Sequence, residues 1–306
     1  SAADRLHRRR MLARLGLAWL MMMQVMTLAF PGYLRSEAMQ PDTLDTLDKA
    51  IYLMNWAALL LTVPVMMYCA TPIWSGAWKS LKQAKVGMDV PVALGIIVAF
   101  VPSVYTTWVG QGEVYFDSVT MFVAFLLTAR YLELCARQSI TRGTAHEYIE
   151  TLRTTLTQHS NQLAFWFVSV QVVLAILFGV AWFYYRPDHA IAVVVALFVM
   201  SCPCALSMAV PTAVASAHAG ISVKPTETQT DLQVVADRTS SISKQNLYGS
   251  IAWHLLMTPL AAIGLVAPWV AAISMLLSSL LVAYNSWRLY RQRLTQAAQL
   301  AANPTV

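Results

Sequence analysis

The chain holds eight long apolar stretches, and a stretch of about 20 apolar residues is what a helix needs to cross a bilayer. They run roughly over residues 12–30, 50–71, 90–110, 115–136, 163–185, 190–218, 247–266 and 268–290. Composition agrees, because 58% of the residues are hydrophobic, only 12% are charged, and mean hydropathy is positive. Backbone polar groups in lipid must be satisfied within the chain, and helices do this without a partner strand. The expected fold is therefore all-α, a polytopic membrane bundle of about eight transmembrane helices forming a single transmembrane domain over residues 1–306.

Charge gives the orientation. Under an alternating topology every Lys and Arg except Arg35, Lys49 and Arg186 falls on the side of the N-terminus. The first loop on the other side carries Glu37, Asp42, Asp45 and Asp48 instead. By the positive-inside rule both termini are cytoplasmic, and the net charge of +6 needs no nucleic-acid partner to explain it. The first stretch is long, and no small-residue cleavage pattern follows it, so it reads as a helix and not as a cleaved signal.

Four cysteines are too few and too scattered for a disulfide framework. Cys69 and Cys135 stand alone and read as small buried side chains. Cys202-Pro203-Cys204, in the middle of the sixth stretch, is different. A proline inside a helix removes one N–H and clashes with the carbonyl four residues before it, here Val199, so the sixth helix is expected to be broken at Pro203. In an unbroken helix, residues two apart point about 200° from each other and cannot share a ligand. The break removes that obstacle. Two thiolates in a low-dielectric bundle repel unless a cation lies between them, and soft sulfur selects Cu(I), with Zn(II) the borderline competitor. The plain structural alternative is a proline kink with two small apolar neighbours.

Other residues keep this motif company. In the eighth stretch Met275 and Ser279 lie at i and i+4, on one helix face, next to Ser278. The methionines 21, 22, 23 and 26 read as filler. Intramembrane acids are costly and mark function by default. Glu133 lies toward the cytoplasmic end of the fourth stretch, where with Met88 and Asp89 it suits metal intake, and Asp117 lies at the opposite end, suiting release. Each is equally explained as an interfacial carboxylate paired with a base, Arg130 or Arg137 for Glu133. Residues 74–85, with Trp74, Gly76, Trp78, Lys79, Leu81, Lys82 and Lys85, read as an amphipathic segment lying on lipid, or as a platform for a soluble copper carrier.

Taken as motifs, Gly87-Met88-Asp89-Val90-Pro91-Val92-Ala93-Leu94-Gly95, Val114-Tyr115-Phe116-Asp117-Ser118, Tyr131-Leu132-Glu133-Leu134 and Ser201-Cys202-Pro203-Cys204-Ala205-Leu206 resemble, in order, the membrane domain of copper-transporting P-type heavy-metal ATPases. The group that supplies copper to respiratory oxidases is the most similar, which implies a bacterial inner membrane. The resemblance implies Cys202, Cys204 and Met275 as Cu(I) ligands, Ser279 nearby, Met88 and Glu133 at the intake, and Asp117 at the exit. Two positions depart from it. Between Asn246 and Pro259, where that subclass carries a Tyr-Asn pair, the chain has Trp253-His254, and Asn161 stands where an acid is expected. His254 reads either as a copper or zinc ligand or as a packed, satisfied imidazole. The Lys and Asp typical of the zinc subclass are absent, since no acid or lysine occurs between Asn246 and Arg288.

The motor of such pumps is not recognisable. Residues 138–162 and 219–246, where the family inserts its actuator and its phosphorylation and nucleotide domains, are short connections, below the ~50 residues of a small domain. Asp237-Arg238-Thr239-Ser240-Ser241 only faintly resembles the phosphorylation motif, and no phosphate-cradling glycine loop accompanies it. No nucleotide site and no ATPase activity are expected of this chain. It reads as a metal-binding and translocation core, either deliberately shortened or a natural relative that lost its motor. The alternatives are a passive copper or zinc channel or carrier, and an engineered membrane scaffold.

Overall fold

The structure, a computed structural model, describes residues 2–35, 40–84, 89–110, 112–138, 144–200 and 204–302. Among them every regular element is helical, as a chain of long apolar stretches requires in lipid. The protein is an all-α membrane protein. Among the described residues ten α-helices follow one another: α1 (Ala2–Leu34), α2 (Pro41–Pro64), α3 (Thr71–Lys82), α4 (Asp89–Val109), α5 (Phe116–Gln138), α6 (Thr144–Tyr185), α7 (Pro187–Met200), α8 (Cys204–Val223), α9 (Gln229–Ala262) and α10 (Pro268–Ala302).

Among the described residues five helical segments are long and apolar enough to cross a membrane on their own: Ala2–Gly32, Pro41–Cys69, Val92–Val109, Glu147–Tyr185 and Trp269–Ala302. Shorter apolar segments occupy Pro187–Phe198 in α7 and Met208–Val223 in α8. The stretch expected over 115–136 corresponds to α5, which starts at Phe116, and the one over 247–266 to the last part of α9, which ends at Ala262. Both of those helices carry polar side chains along the span, Asp117 and Arg130 in α5, Asn246, Ser250, His254 and Thr258 in α9.

Local chemistry sets the boundaries. Pro41 opens α2, where its missing N–H costs nothing. At the other end Pro64 passes into a π-helical turn, Val65–Cys69, closed by Ala70 N–H donating to the Val65 carbonyl at 2.9 Å. That turn redirects the chain into α3, the amphipathic segment expected over 74–85. Ile73 and Ala77 are buried there, Trp78 and Leu81 are exposed, and Lys82 lies over the Trp78 ring. Gly110, at φ 82°, makes the turn after α4, a conformation that strains any residue with a Cβ.

A large core joins α1, the π turn, α4, α5, α7 and α10. The longest helices outrun it. α6 has 42 residues, α9 has 34 and α10 has 35, so α6 is roughly 63 Å long at 1.5 Å per residue, against a hydrocarbon layer of about 30 Å. Their polar ends meet around a second core of Ile149, Val210, Ala213, Val214, Ala217, Val235, Ile242 and Leu289. Most of the two connections at 138–162 and 219–246 is thus built into α6, α8 and α9. Thr228 caps α9, its Oγ1 accepting from Asp231 N–H at 3.1 Å.

Candidate metal centre

α7 ends at Met200 and α8 begins at Cys204. Cys202 and Pro203 lie outside the described residues, as does the side chain of Cys204. What surrounds the motif is described. Met200 and Leu206, on either side of it, are fully buried, and α10 packs most extensively on α8.

On α10, Met275 and Ser279 are both buried, 6% and 9% exposed, as are Ser274 and Ser278. Met275 belongs to the same contiguous core as Met200. The α9–α10 approach is fixed here by Trp253 Nε1–H donating to Ser274 Oγ at 2.9 Å. Trp253 therefore faces α10.

Its neighbour His254 faces α6. Consecutive helical residues point about 100° apart, and the His254 ring lies 4.7 Å, centroid to centroid, from Phe167. The imidazole is 2% exposed, and its Nδ1 has no hydrogen-bond partner among the described residues. One turn along both helices, Gln171 Nε2–H donates to Thr258 Oγ1 at 2.6 Å, leaving Gln171 Oε1 buried and without a partner among the described residues. Two orphaned polar atoms on one seam inside an apolar bundle are costly, and they set His254 and Gln171 apart from packing residues. Gln171 was not singled out in the sequence. Its signal is a lone amide within the run of residues 163–180, where Ser169 is the one other polar side chain.

His254 is one member of a buried polar stripe on α9: Asn246, Ser250, His254 and Thr258, each four residues from the next. At its polar end Asn246 Nδ2–H donates to Ser286 Oγ at 2.9 Å and to the Ala209 carbonyl at 3.2 Å, and Asn246 Oδ1 accepts from Asn285 at 2.8 Å. Thr212 joins Ser286 at 2.9 Å. One asparagine ties α8, α9 and α10 together.

The acids lie at opposite ends of α5. Asp117 is in its first turn and buried, a favourable place for a carboxylate at the positive end of a helix dipole. Glu133 lies sixteen residues on, roughly 24 Å along the axis; its side chain, that of Arg137, and all of Met88 lie outside the described residues. Arg130 pairs with Asp89 at the start of α4, which brings the Asp89 end of α4 beside the Arg130 turn of α5. Among the described residues no group of three His, Cys, Asp or Glu side chains converges to hold a metal.

No family model matches the chain. It is 31% identical over 119 residues to nitrogen fixation protein FixI of Bradyrhizobium diazoefficiens, covering 39% of this chain and 16% of that protein. Over 98 residues it is 35% identical to the probable copper-exporting P-type ATPase V of Mycobacterium tuberculosis, 32% of this chain and 12% of that one. Over 102 residues it is 32% identical to the probable copper-importing P-type ATPase A of Enterococcus hirae, 33% and 14%. Over about a third of its length the chain is homologous to copper-transporting P-type ATPases. The matches span about a sixth or less of those relatives.

Proposed function

We propose that this chain is a transmembrane Cu(I)-binding and translocation core of the P-type ATPase kind, lacking an ATP-driven motor of its own. The observation that carries the reading is the identity shared with copper-transporting ATPases, in a chain whose Cys-Pro-Cys motif follows the end of α7 and has its second cysteine as the first residue of α8. In this reading α7 and α8 are the halves of a proline-broken sixth crossing among eight. Cys202 and Cys204 supply thiolates, and Met275 supplies a neutral thioether from α10, a donor set suited to Cu(I). Ser279 and His254 lie along the pathway. Met88 and Glu133 form the intake with Asp89, Asp117 lies at the exit, both termini are cytoplasmic, and the membrane is a bacterial inner membrane.

α3 suits either of two roles, resting on lipid or receiving a soluble copper carrier, and its exposed Trp78 with Lys82 supports both. Chelator competition tests the ligands. Cys202→Ser/Cys204→Ser is expected to lose Cu(I) affinity by orders of magnitude, and retention of parental affinity in that double variant sinks the assignment.

A second reading is a passive copper or zinc channel or carrier. The buried polar stripe on α9 favours it, because His254 Nδ1, without a partner among the described residues, is a donor that zinc accepts as readily as copper does. Copper or zinc flux into proteoliposomes without ATP supports this reading, and saturable binding without flux returns the chain to a binding core.

A further inference from the structure

The lower half of α10 carries a feature that the metal reading does not use. Leu277 and Leu281 are exposed on one face, followed on that face by Tyr284, then Arg288, Arg291 and Thr295. Tyr284 and Trp287 have their rings 6.4 Å apart, and the Arg291 guanidinium lies over the Trp287 ring at 5.3 Å. Exposed leucines giving way to Tyr and Trp mark the hydrocarbon boundary, where such rings sit at headgroup level. The arginines come within one to two turns beyond it.

There they converge. Arg238 from α9 joins Arg288 and Arg291 in lining an open cleft of about 390 Å³, completed by Gln292, Thr295 and Gln296. No acidic side chain is among these lining residues. Asp231, which lines an adjoining cavity with Arg238, Gln292 and Gln296, is engaged by Arg293. Asp237, next to Arg238 in the chain, accepts from Gln233 on its own helix. Arg288 gives one N–H to Asn285. Three guanidinium forks with no carboxylate among the described residues that line the cleft, flanked by amide and hydroxyl donors, match the oxygen array of a phosphate group.

We propose that this cleft binds the phosphate of an anionic membrane lipid. Free inorganic phosphate has the same chemistry, but the position of the cleft one to two turns past the aromatic pair, on a face continuous with lipid-exposed leucines, favours a headgroup whose acyl chains run along α10. The pairing of Arg291 with Trp287 holds one fork at that level.

Native mass spectrometry of the full chain in detergent, titrated with phosphatidylglycerol or phosphatidylcholine, tests the proposal. The parent should bind phosphatidylglycerol preferentially. Arg238→Gln, Arg288→Gln and Arg291→Gln should each weaken it about fivefold, and the triple variant about 100-fold, as expected from roughly additive contributions of basic residues at an anionic surface. The control Arg8→Gln/Arg9→Gln/Arg10→Gln should bind as the parent does. A preference that survives the triple variant, or that falls equally in the control, overturns the site. Displacement of the lipid by millimolar inorganic phosphate, with phosphate binding dependent on the same arginines, overturns the lipid assignment in favour of the free anion. The single variants, each at an exposed position, keep the test open should the triple variant misfold.

Discussion

Arg293 of α10 holds both carboxylate oxygens of Asp231 at the start of α9, at 2.9 and 3.1 Å, and donates a further hydrogen bond of 2.8 Å to the Lys224 carbonyl at the end of α8. Its stem passes Gly220, where an added Cβ would meet Arg293 Cγ at 2.8 Å. One guanidinium closes the α8–α9 connection onto α10. The pair is only partly exposed, so screening by water is incomplete.

Removing that guanidinium leaves Asp231 and the Lys224 carbonyl without their donor. Arg293→Gln is expected to cost about 2–3 kcal/mol, read as a fall in melting temperature in detergent. A loss within measurement error would show that the joint contributes nothing.

The same pair predicts an acid limb. The Arg293 hydrogen bond holds the Asp231 carboxyl below its ordinary 3.8. A folded-state pKa lower than the unfolded one gives stability that is complete above the unfolded value and disappears as pH falls through the folded one. Melting temperature followed downward from pH 6 should drop below about pH 4 more steeply in the parent than in Asp231→Asn. Parallel curves would exclude the pair as a contributor.

The Asn246 side chain satisfies groups on two neighbouring helices, α8 and α10, at once. Asn246→Leu is expected to destabilise by about 1–2 kcal/mol, because Asn285 and Ser286 lose a buried partner, whereas Asn246→Gln should recover part of that. Equal stability of the leucine variant and the parent would count against the network.

α6 packs tightly on α7 at Gly179, where an added Cβ would run into the Val194 side chain. Gly179→Ala should destabilise by about 1–3 kcal/mol through overpacking, and Val194→Ala added to it should restore most of the loss. The double variant is the informative one, since absence of rescue would place the cost elsewhere.

Met275 tests the thioether separately from packing. Met275→Leu conserves volume and should change stability by less than about 1.5 kcal/mol, while Cu(I) affinity in a chelator competition falls at least about tenfold. Unchanged affinity would remove Met275 from the ligand set.

The all-helical membrane fold was legible because lipid leaves the backbone few options, so a run of apolar residues such as 163–185 is enough to name a crossing. The candidate motif residues stand out in the sequence for a similar reason. A proline between two cysteines, or an acid within an apolar stretch, is costly in lipid and stands out against its surroundings. Less legible were residues whose importance depends on a partner far away in sequence. Gln171 reads as an ordinary amide until Thr258, 87 residues on, is found beside it with one oxygen left over. Arg293 reads as one more positive-inside residue until Asp231 and Lys224 close on it.

By itself, then, the sequence determined the helical class, the places where apolar runs begin and end, and the residue types that suit a soft cation, all consequences of local composition in a solvent that tolerates little polarity. Only the tertiary structure decided which faces meet. It turned Trp253 toward α10 and His254 toward α6, joined the polar ends of α6, α8, α9 and α10 around a second core, and gathered Arg238, Arg288 and Arg291 into one cleft. The physical reason is that helical periodicity says which residues share a face, while the facing partner is chosen by packing among helices distant in sequence.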